Sequence, residues 1–158
     1  MTRIRHRDEA DIGACVEALR AAHEASGYPT NWPADPARWL QPSRTLQAWV
    51  AVTDDMPVAG HVLLRRSPAD ERSAEVSRLF VAPAARRQGI ASALLEAAMR
   101  SAAANDLDLL LDVADHLRAA RALYQRDGFR LVSTAQADWT TPDGHPVTLH
   151  RYAWSKEA

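Results

Sequence analysis

The stretch from Leu79 to Ser92 constrains the fold of this 158-residue chain more than any other part of the sequence. It begins as an apolar, strand-like run that ends at Pro83, and it passes through Gly89 into a segment rich in alanine and leucine. Such a segment favours a helix, and the first backbone N–H groups of a helix are unpaired and attract anions. The small residues Gly89 and Ala91 let a diphosphate approach those groups. The stretch therefore predicts a strand-turn-helix unit with an anion-binding turn.

Two arginines lie in this turn. Arg86 and Arg87 add positive charge where a pyrophosphate or a ribose phosphate would bind. A plain strand-to-helix turn with one glycine and two surface arginines explains the same residues equally well when the segment is taken alone. The choice between these interpretations depends on the rest of the chain.

Composition excludes several other classes of protein. The 19 Lys and Arg residues against 20 Asp and Glu residues provide no broad basic field, which argues against a nucleic-acid partner. No apolar run is long enough to span a membrane, and the first residues lack the pattern of a signal peptide, so we expect a cytoplasmic protein. The one cysteine, Cys15, lies on the apolar side of an amphipathic run, which favours a buried residue over a nucleophile.

The hydrophobic pattern predicts the element order β-α-loop-β-β-β-α-β-α-β-β. We expect strands at Ile4, Leu46–Val52, Val58–Leu64, Ala74–Val81, Leu107–Val113, Phe129–Ala135 and Pro146–Trp154. We expect helices over Ala10–Ser26, Ile90–Asn105 and Leu117–Arg126, and a proline-rich loop after the first helix with a short helix at Pro36–Leu40. Neither a repeat nor a linker divides the chain, so residues 1–158 are expected to form a single domain.

Two motifs resemble those of the GNAT superfamily of N-acetyltransferases. Arg86, Gly89 and Ala91 match its acyl-CoA motif, Q/R-x-x-G-x-G/A. A second block of that family, A-x-x-L-Y-x-x-x-G-F, is matched by Ala120, Leu123, Tyr124, Gly128 and Phe129. The resemblance implies an α/β (α+β) fold: a mixed, mostly antiparallel sheet of six or seven strands, flanked by about four helices, with splayed central strands.

The resemblance also implies an activity, in which an acetyl group passes from acetyl-CoA directly to a primary amine without a metal. The residues that would contact the co-substrate are Leu79, Phe80, Val81, Arg86, Arg87, Gln88, Gly89, Ile90, Ala91, Ser92, Leu117 and Ala120. Leu117 stands where many members of the family have Asn, so one side-chain hydrogen bond near the pantetheine arm is absent.

Tyr124 matches the tyrosine that protonates the departing thiolate in this family, and a phenol is protonated at neutral pH. Glu75 is the first candidate for the general base, because a carboxylate in this region serves as base in some relatives. A solvated strand residue explains Glu75 equally well. Asp112 and His116, at the end of the following strand, are alternative bases, and Asp112 also suits the N-terminus of a helix.

The acceptor is less well specified. In the family, the region after the first helix lines the acceptor site, and here it contains Tyr28 and Trp32, whose rings could enclose an amine or stack on a cation. The same rings could instead fix the loop to the sheet. We expect a small-molecule amine or a peptide N-terminus as the acceptor, and the resemblance allows a homodimer.

Three alternatives stay open. A domain of the same fold could bind an acyl-CoA as a regulator without catalysis. A nucleotide-binding α/β protein would also use a glycine turn, but neither G-x-G-x-x-G nor G-x-x-x-x-G-K-[ST] occurs. A metal enzyme is disfavoured because the six histidines show no spacing typical of ligands.

Overall fold

The apolar runs of the sequence form seven strands of one sheet in the computed structural model, which describes residues 1–156. The strands are β1 (Thr2–His6), β2 (Thr45–Thr53), β3 (Gly60–Arg66), β4 (Ser73–Val81), β5 (Asp108–Ala114), β6 (Arg130–Thr140) and β7 (Pro146–Trp154). The helices are α1 (Ile12–Ser26), α2 (Pro36–Trp39), α3 (Ile90–Ala104) and α4 (Arg118–Arg126). Short 3-10 turns precede α1 at Glu9–Asp11 and α3 at Pro83–Ala85.

The strand order is β1-β2-β3-β4-β5-β7-β6. Neighbouring strands are antiparallel except β4 and β5, which run parallel and are joined through α3. A mixed, mostly antiparallel sheet with α-helices on its faces is the architecture that the sequence predicts, and that prediction is confirmed.

The first helix begins two residues later than predicted. The side chain of Asp8 accepts a hydrogen bond from the N–H of Ala10, and the side chain of Asp11 accepts one from the N–H of Asp8. This reciprocal capping stabilises a 3-10 turn before the α-helix starts at Ile12. At the other end Gly27, with a φ of 74°, ends α1 at the predicted position.

Apolar residues pack on both faces of the sheet. On one face α3 and α4 cover a cluster that includes Leu64, Val76 and Leu94. On the other face α1 covers a second cluster that includes Cys15, Leu19 and Phe80. Cys15 is fully buried, as predicted, and burial raises the pKa of its thiol to about 12, so it is not a thiolate at neutral pH.

Candidate functional site

A cleft opens where the two parallel strands separate. β4 and β5 are paired only from Ser73 to Glu75 on one strand and from Asp108 to Leu110 on the other. Beyond these residues the strands diverge, so the backbone groups of β4 that face β5 have no strand partner in the part of the chain that the structure describes. The cleft that results has a volume of about 1400 Å³ and is lined by residues of both sheet faces. The splayed central strands expected from the sequence are therefore present.

A β-bulge lies in β4 beside this opening. Leu63 pairs with Ser77 and His61 pairs with Phe80, so β4 contains one residue more than β3 over this interval. Arg78 has a φ of 57°, in the left-handed region that residues other than glycine seldom adopt. Because the extra residue reverses the alternation of side chains, Val76 packs under α3 whereas Phe80 packs under α1.

A buried histidine holds the bulge in place. Nδ1 of His61 lies 2.8 Å from the carbonyl oxygen of Arg78, and Nε2 lies 2.9 Å from Nη1 of Arg7. A guanidinium can only donate, so Nε2 accepts and the proton on Nδ1 is donated to Arg78. Nη1 of Arg7 also donates to the carbonyl oxygen of Leu40, at 2.6 Å. His61 is fully buried, and this burial lowers its pKa to about 3, so the ring is neutral.

The turn before α3 presents a row of free donors. Within residues 1–156, the backbone N–H groups of residues 87–92 donate no hydrogen bond. Arg87 and Gly89 have φ values of 66° and 74°, and this left-handed backbone curves the turn into a concave rim above the helix N-terminus. The predicted anion site is therefore open to the cleft, at the positive end of the α3 dipole.

Guanidiniums surround this turn. Arg86 donates through Nη2 to the hydroxyl of Ser26 at 2.8 Å, which ties the turn to the end of α1. Arg118 and Arg126 of α4 also line the cleft. Ser92 connects the two helices, because its hydroxyl donates to Asp127 at 3.1 Å and accepts from Arg126 at 3.1 Å.

Most of the residues predicted to contact the co-substrate lie together on this side of the cleft. The residues that line it are Leu79, Phe80, Val81, Arg86, Arg87, Gly89, Ile90, Ala91, Ser92, Leu117 and Ala120. Gln88 is exposed at the tip of the turn and does not line the cleft. Leu117 immediately precedes α4, and its apolar side chain packs against the core under α3.

Tyr124 lies on α4, and its ring closes the floor of the cleft. The ring contacts Phe129 and Tyr152, with ring centroids 6.0 and 6.2 Å apart. Only 7% of the residue is exposed, and within residues 1–156 its hydroxyl has no hydrogen-bond partner. Burial raises the pKa of Tyr124 above that of a free phenol, and the nearby Tyr28 raises it further, so the hydroxyl keeps its proton at neutral pH.

Carboxylates and guanidiniums form a row on the sheet face toward α1. Glu75 lies on β4 where the strands begin to separate, and its Oε2 is 3.6 Å from Nη2 of Arg151. Arg151 is held by Asp112, which accepts two hydrogen bonds at 2.9 and 3.0 Å. The alternative prediction that Asp112 caps a helix is wrong, because this bidentate pair occupies both of its oxygens and no side chain caps α4. His116 is exposed and lines the rim of the cleft.

Aromatic residues of the proline-rich loop border the same region. Tyr28 and Trp39 line the cleft, with ring centroids 6.1 Å apart. Burial raises the pKa of Tyr28 to about 12. Trp32 does not line the cleft: its ring packs against His23 at 5.3 Å and under the guanidinium of Arg20 at 4.9 Å. Its position agrees with the alternative in which the ring fixes the loop.

Residues 1–156 contain neither a cluster of metal ligands nor a helix suited to span a membrane. In that part of the chain no group of three or more His, Cys, Asp or Glu residues is arranged to hold a metal ion. None of the helices found there is both long and apolar enough to cross a membrane.

The chain matches the model of the Acetyltransferase (GNAT) family over residues 14–129. It therefore belongs to the GNAT acetyltransferase family.

Solved structures agree with this assignment. The ribosomal-protein-S18-alanine N-acetyltransferase from Escherichia coli superposes with a TM-score of 0.79 at 22% identity, over 98% of this chain and 94% of that one. A GCN5-related N-acetyltransferase from Kribbella flavida is 25% identical with a TM-score of 0.75, over 98% and 97%. NAA60 from Arabidopsis thaliana, solved with a bisubstrate analogue, has a TM-score of 0.77 at 18% identity, over 98% of each chain. The fold is thus that of N-acetyltransferases.

The sequence does not predict the roles of Arg65 and Arg78, which line the cleft, or of His61, which is buried and bonded to the bulge. His61, Arg65 and Arg78 lie on β3 and β4, and their roles depend on which residues the strand register places opposite one another. The sequence does contain a sign of the bulge in β4. Ser77 and Arg78 are consecutive polar residues inside a strand, and such a break in the alternation of polar and apolar residues indicates a bulge.

Proposed function

We propose that this protein transfers an acetyl group from acetyl-CoA to a primary amine. The observation that carries the proposal is the row of six backbone N–H groups at the N-terminus of α3, residues 87–92, which donate to no acceptor within residues 1–156. Coenzyme A supplies a pyrophosphate that fits such a row, and Arg86, Arg87, Arg118 and Arg126 provide the surrounding positive charge.

The unpaired edge of β4 would hold the pantetheine arm. Beyond Glu75 this edge offers N–H and C=O groups that match the amides of pantetheine as an added strand would. Leu79 and Val81 lie on this part of β4, after the bulge at Arg78. An N–H group there would also stabilise the negative charge that develops on the carbonyl oxygen of the thioester.

Tyr124 would act as the general acid. The amine nitrogen forms a bond to the acetyl carbon while the carbon–sulfur bond breaks, and the sulfur leaves as a thiolate. The hydroxyl of Tyr124 donates its proton to that sulfur and is then reprotonated from solvent. Burial keeps the hydroxyl protonated until the thiolate forms, and within residues 1–156 no other group accepts its proton.

Glu75 would act as the general base. Its carboxylate lies on the sheet face toward α1, where the strands separate, 3.6 Å from the guanidinium of Arg151. It would take a proton from the ammonium form of the acceptor, directly or through water, and pass it to solvent. Tyr28 would border the acceptor beside it. Trp32 lies outside the cleft lining and would support the loop that carries Tyr28.

The test follows the release of free thiol from acetyl-CoA in the presence of a panel of primary amines. The one cysteine of the chain is buried and contributes no background thiol. We expect thiol release that requires both substrates, and a decrease of about 100-fold in kcat for Glu75→Gln, with no change for the exposed control Glu71→Gln. Absence of amine-dependent release across the panel, from protein that binds acetyl-CoA, would refute catalysis and favour an acyl-CoA-binding role.

A further inference from the structure

Two guanidiniums that line the cleft, those of Arg65 and Arg78, form no ion pair with a carboxylate of residues 1–156. Arg65 of β3 lies directly opposite Glu75 of β4, so both side chains project from the same face of the sheet. Their neighbours Leu64 and Val76 pack in the cluster under α3. Arg65 and Glu75 therefore lie on the face toward α1, away from the turn that would bind the coenzyme phosphates.

Arg65 has unused donors. Its Nε is buried without a hydrogen-bond partner, and within residues 1–156 its guanidinium forms no ion pair. A buried guanidinium N–H that lacks an acceptor is costly, and such groups are rare in folded proteins. Arg65 lines the cleft, and within residues 1–156 its terminal Nη groups also donate no hydrogen bond, so a bound molecule can accept from them.

Arg78 also lines the cleft, and within residues 1–156 its guanidinium donates hydrogen bonds only to neutral groups. Its guanidinium carbon is 4.1 Å from the ring centroid of Trp39, Nε donates to the carbonyl oxygen of Trp39 at 3.2 Å, and Nη1 donates to the hydroxyl of Ser77 at 2.9 Å. Burial lowers the pKa of Arg78, the phenol of Tyr28 raises it, and the positive charge of Arg65 lowers it. The two arginines therefore repel each other at this wall of the cleft.

The carboxylates of this face do not relieve the repulsion. Asp112 is bonded to Arg151 through both oxygens, and the carboxylate of Glu75 lies 3.6 Å from that same arginine. The three guanidiniums of Arg65, Arg78 and Arg151 thus face two carboxylates, which leaves one positive charge in excess among these five side chains.

We propose that the acceptor is a small amine that also carries an oxyanion, a carboxylate or a phosphonate, bound by Arg65 and Arg78 while its amine faces Glu75. Arginine binds planar oxyanions through paired N–H donors, which is the geometry that Arg65 leaves unused. The proposal rests on the function proposed above and specifies its substrate class. A second cationic group, as in a polyamine, would meet like charges at this position.

The test compares kcat/KM for matched acceptors: free amino acids, the same amino acids as carboxamides, and their aminophosphonate analogues. We expect kcat/KM for the carboxylate or for the phosphonate to exceed that for the carboxamide by about 10-fold or more. The anionic series with the higher kcat/KM shows which oxyanion the site prefers. Equal values for the acid and its carboxamide, or faster turnover of polyamines or of peptide N-termini, would overturn the proposal.

Two variants make the test specific. Arg65→Gln should reduce kcat/KM for the anionic acceptor about 10-fold and reduce its advantage over the carboxamide. Arg66→Gln is the matched control, because this neighbour on β3 loses the same charge but donates to the carbonyl oxygen of Glu71 at 2.8 Å, outside the cleft. An unchanged preference in Arg65→Gln would exclude Arg65 as the binding group.

Binding of acetyl-CoA, measured by calorimetry on the same samples, separates the two proposals. If the protein binds acetyl-CoA and acetylates the acid and its carboxamide equally well, only the proposed acceptor class is rejected. Folded protein that does not bind acetyl-CoA rejects the proposed function and the acceptor class together.

Discussion

Nδ1 of His61 donates a hydrogen bond of 2.8 Å to the carbonyl oxygen of Arg78, the residue at which β4 bulges. This bond fixes the left-handed backbone of Arg78 and thereby the direction of the strand edge beside the cleft. Arg7, on the other side of the ring, keeps Nε2 as an acceptor and so determines which nitrogen carries the proton.

Replacement of His61 should therefore affect both stability and binding. In His61→Phe the carbonyl oxygen of Arg78 and the guanidinium of Arg7 lose a buried partner, so we expect the free energy of unfolding to fall by about 2 to 4 kcal/mol. Urea unfolding measures this loss, and acetyl-CoA titration should show weaker binding because the bulge relaxes. His145→Phe, at an exposed histidine, is the control. Equal stability of the two variants would show that the histidine does not hold the bulge.

The same histidine should make stability depend on pH. Its pKa in the folded protein is about 3, below the ordinary value of 6.5, because burial disfavours the charged ring. Between these values the unfolded chain binds more protons than the folded one, so the free energy of unfolding falls as the pH decreases below about 6.5. The slope contributed by one group is at most about 1.4 kcal/mol per pH unit. Unfolding in urea between pH 7 and pH 5 measures it.

The variant His61→Phe is the control for this slope. In this variant the free energy of unfolding should decrease much less between pH 6.5 and pH 5 than in the natural protein, since no imidazole is left at this position to protonate. Asp11, whose pKa is lowered by its hydrogen bond from Arg5, loses its contribution only in more acidic solution. A slope that persists unchanged in the variant would assign the pH dependence to other groups.

Tyr124→Phe should separate binding from catalysis. The ring packs between Phe129 and Tyr152, and phenylalanine preserves this packing. We expect kcat to fall about 100-fold, while the dissociation constant for acetyl-CoA changes little. Tyr152→Phe is the matched control: its hydroxyl accepts from Gln125 at 3.2 Å, so its loss should affect stability more than kcat. A normal kcat in Tyr124→Phe would remove the tyrosine from the mechanism.

Gly89 and Gly27 allow backbone strain to be separated from ligand binding. Both glycines have a φ of 74°, and a Cβ at either would meet no atom within 4 Å. Alanine at either position should cost about 1 kcal/mol of stability, because the left-handed backbone disfavours a side chain. Only Gly89→Ala should weaken acetyl-CoA binding, since its methyl group would occupy the rim where the pyrophosphate lies. Similar affinities in the two variants, measured by titration, would place the phosphates elsewhere.

The order of the elements could be predicted from the sequence because it depends on local patterns, such as Gly27 after α1 and the turn from Val81 to Ile90. The free N–H groups of residues 87–92, which form the proposed anion site, lie where the same local pattern predicts the start of a helix. Strand β6 is predicted to end at Ala135 but continues to Thr140, because its exposed residues pair with β7 through backbone hydrogen bonds. Such pairing leaves no apolar pattern in the sequence from which it could be predicted.

The rest of the site depends on register. Arg65 meets Glu75, and His61 reaches Arg78, only because β3 and β4 pair with one extra residue in β4. A shift of one residue would place Arg65 on the opposite face. The register between two strands cannot be predicted from the residue spacing within either strand alone.

Calorimetric titration with acetyl-CoA tests the central claim most directly, with free CoA, ATP and NAD as comparisons. The account predicts micromolar binding of acetyl-CoA and of CoA, and much weaker binding of ATP and NAD, which lack a pantetheine arm to pair with the open edge of β4. Binding of ATP or NAD as tight as that of acetyl-CoA, or absence of acetyl-CoA binding by folded protein, would contradict it.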